Sequence, residues 1–110
     1  MREAVWAGVT FVVLGRHDVE RVRAPGLYVF AARDGGQLTP VFAGEAQDIA
    51  REVGPHHPSW AGALAQGFNE VHICLGAAER IDRMQLLARI VRAEGPDMNG
   101  ADLTEVRVAG

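Results

Sequence analysis

Residues 27–43 constrain the fold more than any other stretch of the chain. Leu27-Tyr28-Val29-Phe30-Ala31-Ala32 has a strand-like composition, Asp34-Gly35-Gly36 supplies the residues of a tight turn, and residues 38–43 return. The pattern predicts a β-hairpin. Proline has no N–H to give a ladder, so Pro40 places the returning strand at a sheet edge.

After Gly44 the hydrophobic period changes from two to about 3.6. Ala46, Ile49, Ala50 and Val53 share one face and predict a helix that Gly54-Pro55 stops. A second helix is expected after Pro58-Ser59, with Trp60, Ala63, Leu64 and Phe68 as its buried stripe and Gly67 near its end. Residues 70–75 alternate as a strand, with Val71, Ile73 and Leu75 facing one way and His72 and Cys74 the other. Residues 79–94 predict a last helix, acidic at its start (Glu79, Asp82) and basic near its end (Arg89, Arg92), as the helix dipole favours. Upstream, Val9-Thr10-Phe11-Val12-Val13-Leu14 reads as a buried strand ending at Gly15, followed by a loop with a helical turn over 16–23 and a break at Ala24-Pro25-Gly26. The tail from Asn99 has weak alternation and supports no assignment. The class is α+β: a small antiparallel sheet, the hairpin plus one or two further strands, flanked by about three helices.

A length of 110 residues fits one domain, 1–110, with one core, and 48% apolar residues can fill it without disulfides. Cys74 is the single cysteine, so nothing ties the chain to an oxidising compartment. The sequence opens with no leader-like pattern and holds no apolar run near the ~20 residues of a membrane span. The expectation is a soluble, cytoplasmic protein with no membrane partner. All eleven basic residues are arginine and the net charge is −3. With so much Ala, Gly and Val, this reads as the composition of a GC-rich bacterial genome. Scattered arginines without an overall positive balance form a solvated surface more readily than a nucleic-acid track.

Gly26-Leu27-Tyr28, Phe42-Ala43-Gly44, Glu45-Ala46-Gln47-Asp48-Ile49 and Pro96-Asp97-Met98-Asn99 follow one another between residues 24 and 99, an ordered set that resembles the GIY-YIG nuclease superfamily. Gly26-Leu27-Tyr28 stands for the first tripeptide and Phe42-Ala43-Gly44 for the second. Glu45-Ala46-Gln47-Asp48-Ile49 resembles the start of the family's first helix, and Pro96-Asp97-Met98-Asn99 its Pro-x-aromatic-Asn ending. His57-Pro58-Ser59-Trp60 is similar to small bacterial members.

The resemblance implies a cleft built around Tyr28, Arg51 and His57 as the catalytic-position residues. Tyr28 would help position or deprotonate the attacking water. The second-motif tyrosine is replaced by Phe42, which keeps the ring and loses the hydroxyl. The family's phosphate-steadying arginine falls in strict register on Glu52, with Arg51 its neighbour about 100° away around the helix; a surface arginine paired with Asp48 or Glu52 is the competing reading. The loop histidine is His56 by strict count or His57 by the Trp60 pattern, and Arg51 and His56 are the candidate nucleic-acid contacts. Counting back from Pro96, the family's metal-binding glutamate lands on Leu87, which cannot ligate Mg²⁺. If Leu87 occupies that position, its side chain should point to the Tyr28 side of the sheet.

Outside that frame, His56, His57, His72 and Cys74 lack the paired spacing of a structural zinc site, and no Asp or Glu is placed by sequence to orient His72 beside Cys74. Trp6, Trp60 and Phe68 could stack on bases, but Trp60 and Phe68 fit a buried helical stripe better. The expectation is a catalytically impaired GIY-YIG-like domain that binds nucleic acid, DNA among the possible partners, and needs no cofactor. An active endonuclease with a rearranged Mg²⁺ or Mn²⁺ site and a protein-interaction or homodimerising domain are the alternatives.

Overall fold

The computed structural model describes residues 2–99. Five strands form one antiparallel sheet in the order β1-β2-β5-β3-β4: β1 (Glu3–Trp6), β2 (Val9–Gly15), β3 (Gly26–Asp34), β4 (Gln37–Ala46) and β5 (Glu70–Cys74). Three helices accompany it: α1 (Ile49–Glu52), α2 (Trp60–Ala65) and α3 (Arg80–Glu94). The fold is α+β, as the hydrophobic patterning requires.

The hairpin is present where it was expected. Asp34 pairs with Gln37 across Gly35-Gly36, and Gly35 takes the positive φ of 62° that the two-residue turn demands. β4 is an edge strand, so Pro40 costs no ladder bond to an outer neighbour. Close by, the register slips between Phe30 and Ala31, and Val41 is the extra residue of a bulge, turned into the core. Tyr28 pairs with Gly44, and Phe30 with Phe42. The two tripeptides therefore lie side by side on adjacent antiparallel strands.

Strand β3 is buried on both faces from Gly26 to Ala31, and its alternation divides the core. On one face Tyr28 and Phe30 pack with Val71, Ile73, Ile49, Val53, Trp60 and Phe68, beneath α1 and α2. On the other Leu27, Val29 and Ala43 pack with Trp6, Phe11, Ile90 and Val91, beneath α3. α3 ends as its sequence predicts, with Gly95 in the left-handed region (φ 57°) before Pro96.

Several boundaries differ from the sequence expectation. β1 joins through a tight turn in which Ala7 (φ 52°) and Gly8 (φ 80°) are both left-handed, a hairpin that the short run Glu3–Trp6 did not announce. Strand β4 runs on to Ala46, so Ala46 is a strand residue and α1 is a single turn. Leu64 is not on the buried stripe of α2; it is 39% exposed. Leu75 lies past the end of β5 and is half exposed. The tail 100–110 lies outside the described residues.

Candidate functional site

Tyr28 and His57 meet at the centre of the first face. Oη of Tyr28 lies 2.6 Å from Nε2 of His57. The proton between them can be assigned. The Ser59 N–H points at Nδ1 of His57 at 3.0 Å, so Nδ1 accepts and the proton of the neutral ring sits on Nε2. His57 thus donates to Tyr28, and the hydroxyl keeps its own hydrogen for another acceptor. Burial first, then the proximity of His56, holds the His57 pKa below its ordinary value, although Glu52 pulls it the other way. Protonation would also set a new N–H against that of Ser59.

The surroundings are aromatic. Phe30 and Phe42 pack edge-on to His57 with ring centroids 5.1 and 5.3 Å away, and Phe42 lies 6.2 Å from Tyr28. Trp60 and Phe68 complete the cluster around Phe30. Both are buried, as is Trp6, so none of the three is a platform for bases. Tyr28 itself is 5% exposed. Burial, with Glu52 and Glu45 adding like charge, pushes its pKa well above the ordinary phenol value. A tyrosine so held is a hydroxyl donor or acceptor at neutral pH, not a phenolate base. Gly44 is part of this arrangement, because a Cβ there would overlap Cζ and Oη of Tyr28. Similarly, a Cβ on Gly26 would overlap the Cys74 carbonyl oxygen. Both motif glycines thus have a packing reason.

The structure separates the remaining candidates from this pair. Arg51 is exposed on α1 and has no ion-pair partner among the described residues, so the expected pairing with Asp48 or Glu52 is not made. Glu52 instead accepts from the N–H groups of Gln47 and Asp48, closing the start of α1. The Arg51 carbonyl accepts from Nε2 of His56 at 2.6 Å. His56 lines a cavity of about 290 Å³ with Arg16, His17, Glu20 and Pro55, immediately before His57 in the chain. Leu87 requires a correction: its side chain packs beneath α3 with the Leu27, Val29 and Ala43 cluster, across the sheet from Tyr28. A helix laid on that face presents position 87 to the wrong side.

Two polar centres were not foreseen. On α3 Arg83 is 1% exposed. Its Nε donates to Glu45 Oε2 at 2.9 Å and its Nη1 to the carbonyls of Ala78 (2.6 Å) and Ala77 (3.3 Å). Its spacing of four from Leu87 marks the shared helix face, yet arginine is seldom expected at such depth. The second centre runs through the other cluster. Trp6 Nε1–H donates to Nδ1 of His72 at 2.9 Å, which leaves the ring proton on Nε2 to donate to Glu70 Oε1 at 2.9 Å. Arg2 (2.7 Å) and Arg33 (2.6 Å) both pair with Oε2 of Glu70. Desolvation would raise the Glu70 pKa, but hydrogen bonds from Arg33, His72 and Arg2 overcome it and bring the carboxyl to about 2. Glu70 is thus the acid that orients His72, two residues away on the same strand face, a spacing of period two that the sequence did contain. Burial also lowers the pKa of His72, against the pull of Glu70.

No family model, no curated protein and no solved structure gives a significant match to the chain. Among the described residues, no helix is long and apolar enough to cross a membrane.

Proposed function

We propose that this chain is a catalytically impaired GIY-YIG-like domain that accommodates a nucleic-acid phosphate beside Tyr28 without cutting the strand. The observation that carries the reading is the Tyr28–His57 hydrogen bond, with His57 as donor. It leaves the hydrogen of the one phenolic O–H of the chain to a further acceptor, a role open to a phosphate oxygen that enters beside the 5% exposed ring, while the raised pKa denies it the role of base. Phe42, beside the pair, supplies ring packing and no second hydroxyl. Arg16, His17 and His56 around the cavity they line, with exposed Arg51 nearby in sequence, offer further donors to a phosphate backbone. Glu20 on the same cavity wall keeps such contact weak and salt-sensitive.

The test is binding of branched and flapped DNA followed by fluorescence anisotropy, with cleavage scored in parallel in Mg²⁺ and in Mn²⁺. Salt-dependent binding without cleavage is expected, weakened by Tyr28→Phe and by Arg16→Ala. A positioned acid or base is worth roughly 10²–10⁴ in rate, so its loss leaves cleavage at background. Cleavage that copurifies with the protein and vanishes in Tyr28→Phe would make the chain a working metal-dependent endonuclease. Absence of binding even at low salt would remove nucleic acid as the partner.

A further inference from the structure

Among the described residues, no helix packs over the β1–β2 half of the sheet on the face that carries Tyr28. α1 and α2 pack over β3 and β5 there, and α3 covers the opposite face. In the gap Val12, Leu14, Val22, Ile73 and Leu75 line an apolar groove of about 480 Å³. Leu75 is 50% exposed; Val5, the partner of the groove residue Thr10, is 61% exposed. A sheet face of this kind is stable when another layer covers it.

We propose that the covering layer is a second copy of this chain, packed groove to groove about a two-fold axis. The charges at the rims select that occupant. On the β1 side stands Glu3, paired in register with Val12; on the α1 side stands Val22, whose carbonyl accepts from the Ala50 N–H and whose chain neighbours are Arg21 and Arg23. Glu3, Arg21 and Arg23 are exposed, and none has an ion-pair partner among the described residues. Two copies packed face to face about an axis parallel to the strands exchange left for right. Glu3 of each then meets Arg21 and Arg23 of the other, and both rims close with opposite charges. An in-plane axis perpendicular to the strands would set Glu3 against Glu3 instead. The surface is therefore self-complementary in one orientation, as an isologous dimer requires. This inference does not rest on the reading of Tyr28.

Sedimentation velocity of the full chain over a wide concentration range tests it. A reversible monomer–dimer equilibrium is expected, weakened at least about tenfold by Leu75→Asp, since a charge at the centre of an apolar contact removes its anchor. Leu75 is half exposed, so that variant should fold, and circular dichroism checks that it does. Glu3→Arg should also weaken the dimer, and Glu3→Arg combined with Arg21→Glu and Arg23→Glu should restore it. A chain monomeric at every concentration overturns the proposal and leaves the groove to another partner or to residues 100–110. A dimer indifferent to Leu75→Asp overturns it by locating the contact elsewhere, and failure of the charge swap to restore association overturns the two-fold arrangement.

Discussion

Tyr28 is the single tyrosine of the chain, so its ionisation can be followed by absorbance with no competing phenol. An exposed tyrosine is half ionised near pH 10. Burial, Glu52 and Glu45 all hold Tyr28 above that value. A group whose folded pKa is raised contributes stability fully below its unfolded pKa and loses it as pH climbs. Native protein should therefore show no tyrosinate at pH 10, and the signal should appear only as the fold is lost in stronger alkali. His57→Ala is the informative perturbation. It removes one hydrogen bond, worth about 1 kcal/mol, and edge contacts to Phe30 and Phe42, worth roughly 0.5–1.5 kcal/mol each. The expected loss of stability is thus about 2–4 kcal/mol, with water reaching Oη and the tyrosine midpoint moving down towards 10. Tyr28→Phe leaves the Nε2–H of His57 without its acceptor and should cost about 1–2 kcal/mol. A urea double-mutant cycle of the pair should return a coupling of about 1 kcal/mol. A reversible native-state titration centred near pH 10, or additive single variants, would refute the buried, His57-anchored hydroxyl.

Arg83→Met should destabilise the fold by about 3 kcal/mol in urea denaturation, because Glu45 loses its buried partner and keeps only the longer contact to Arg80, while two carbonyls lose a donor; adding Glu45→Gln should recover part of that loss. Stability should fall as the solution is acidified, in two stages read from urea midpoints across pH. His57 and His72, both held below their ordinary value of 6.5, stay neutral in the fold while the unfolded chain takes up protons, and Glu70 repeats the effect between 4.5 and about 2. Finally, Leu87→Glu combined with Phe42→Tyr should gain no Mn²⁺ affinity over wild type by calorimetric titration, because position 87 and the Tyr28 hydroxyl lie on opposite faces of the sheet.

The β3–β4 hairpin and the strands β2 and β5 were legible because local chemistry dictates them. A turn built on Gly35, a proline confined to an edge, and a run buried on both faces each leave a mark in consecutive residues. The short elements were less legible for the same reason. One turn of α1 is too brief to reveal a period, and Ala46 and Ile49 can be read as one helical face although a strand end and a helix start contribute one each. β1 spans only four residues, and its place in the sheet depends on Trp6 finding His72, 66 positions away.

At the site, sequence could nominate residues but not the face to which each belongs. Tyr28 and His57 come together because α2 and the loop before it pack on the Tyr28 side of β3, a tertiary fact that no spacing encodes. The same is true in reverse for Leu87, whose count from Pro96 fixes a helical position but not the side of the sheet on which that helix lies. The role of His57 lies a further step from the sequence. Only the Ser59 N–H, arriving from a neighbouring turn, settles which ring nitrogen carries the proton, and with it whether the histidine can accept the tyrosine's proton. Burial and the like charge of Glu52 and Glu45 hold the phenol neutral, and His57, already the donor, cannot take its proton, so any nucleophile activation in this cleft would have to come from a group other than Tyr28.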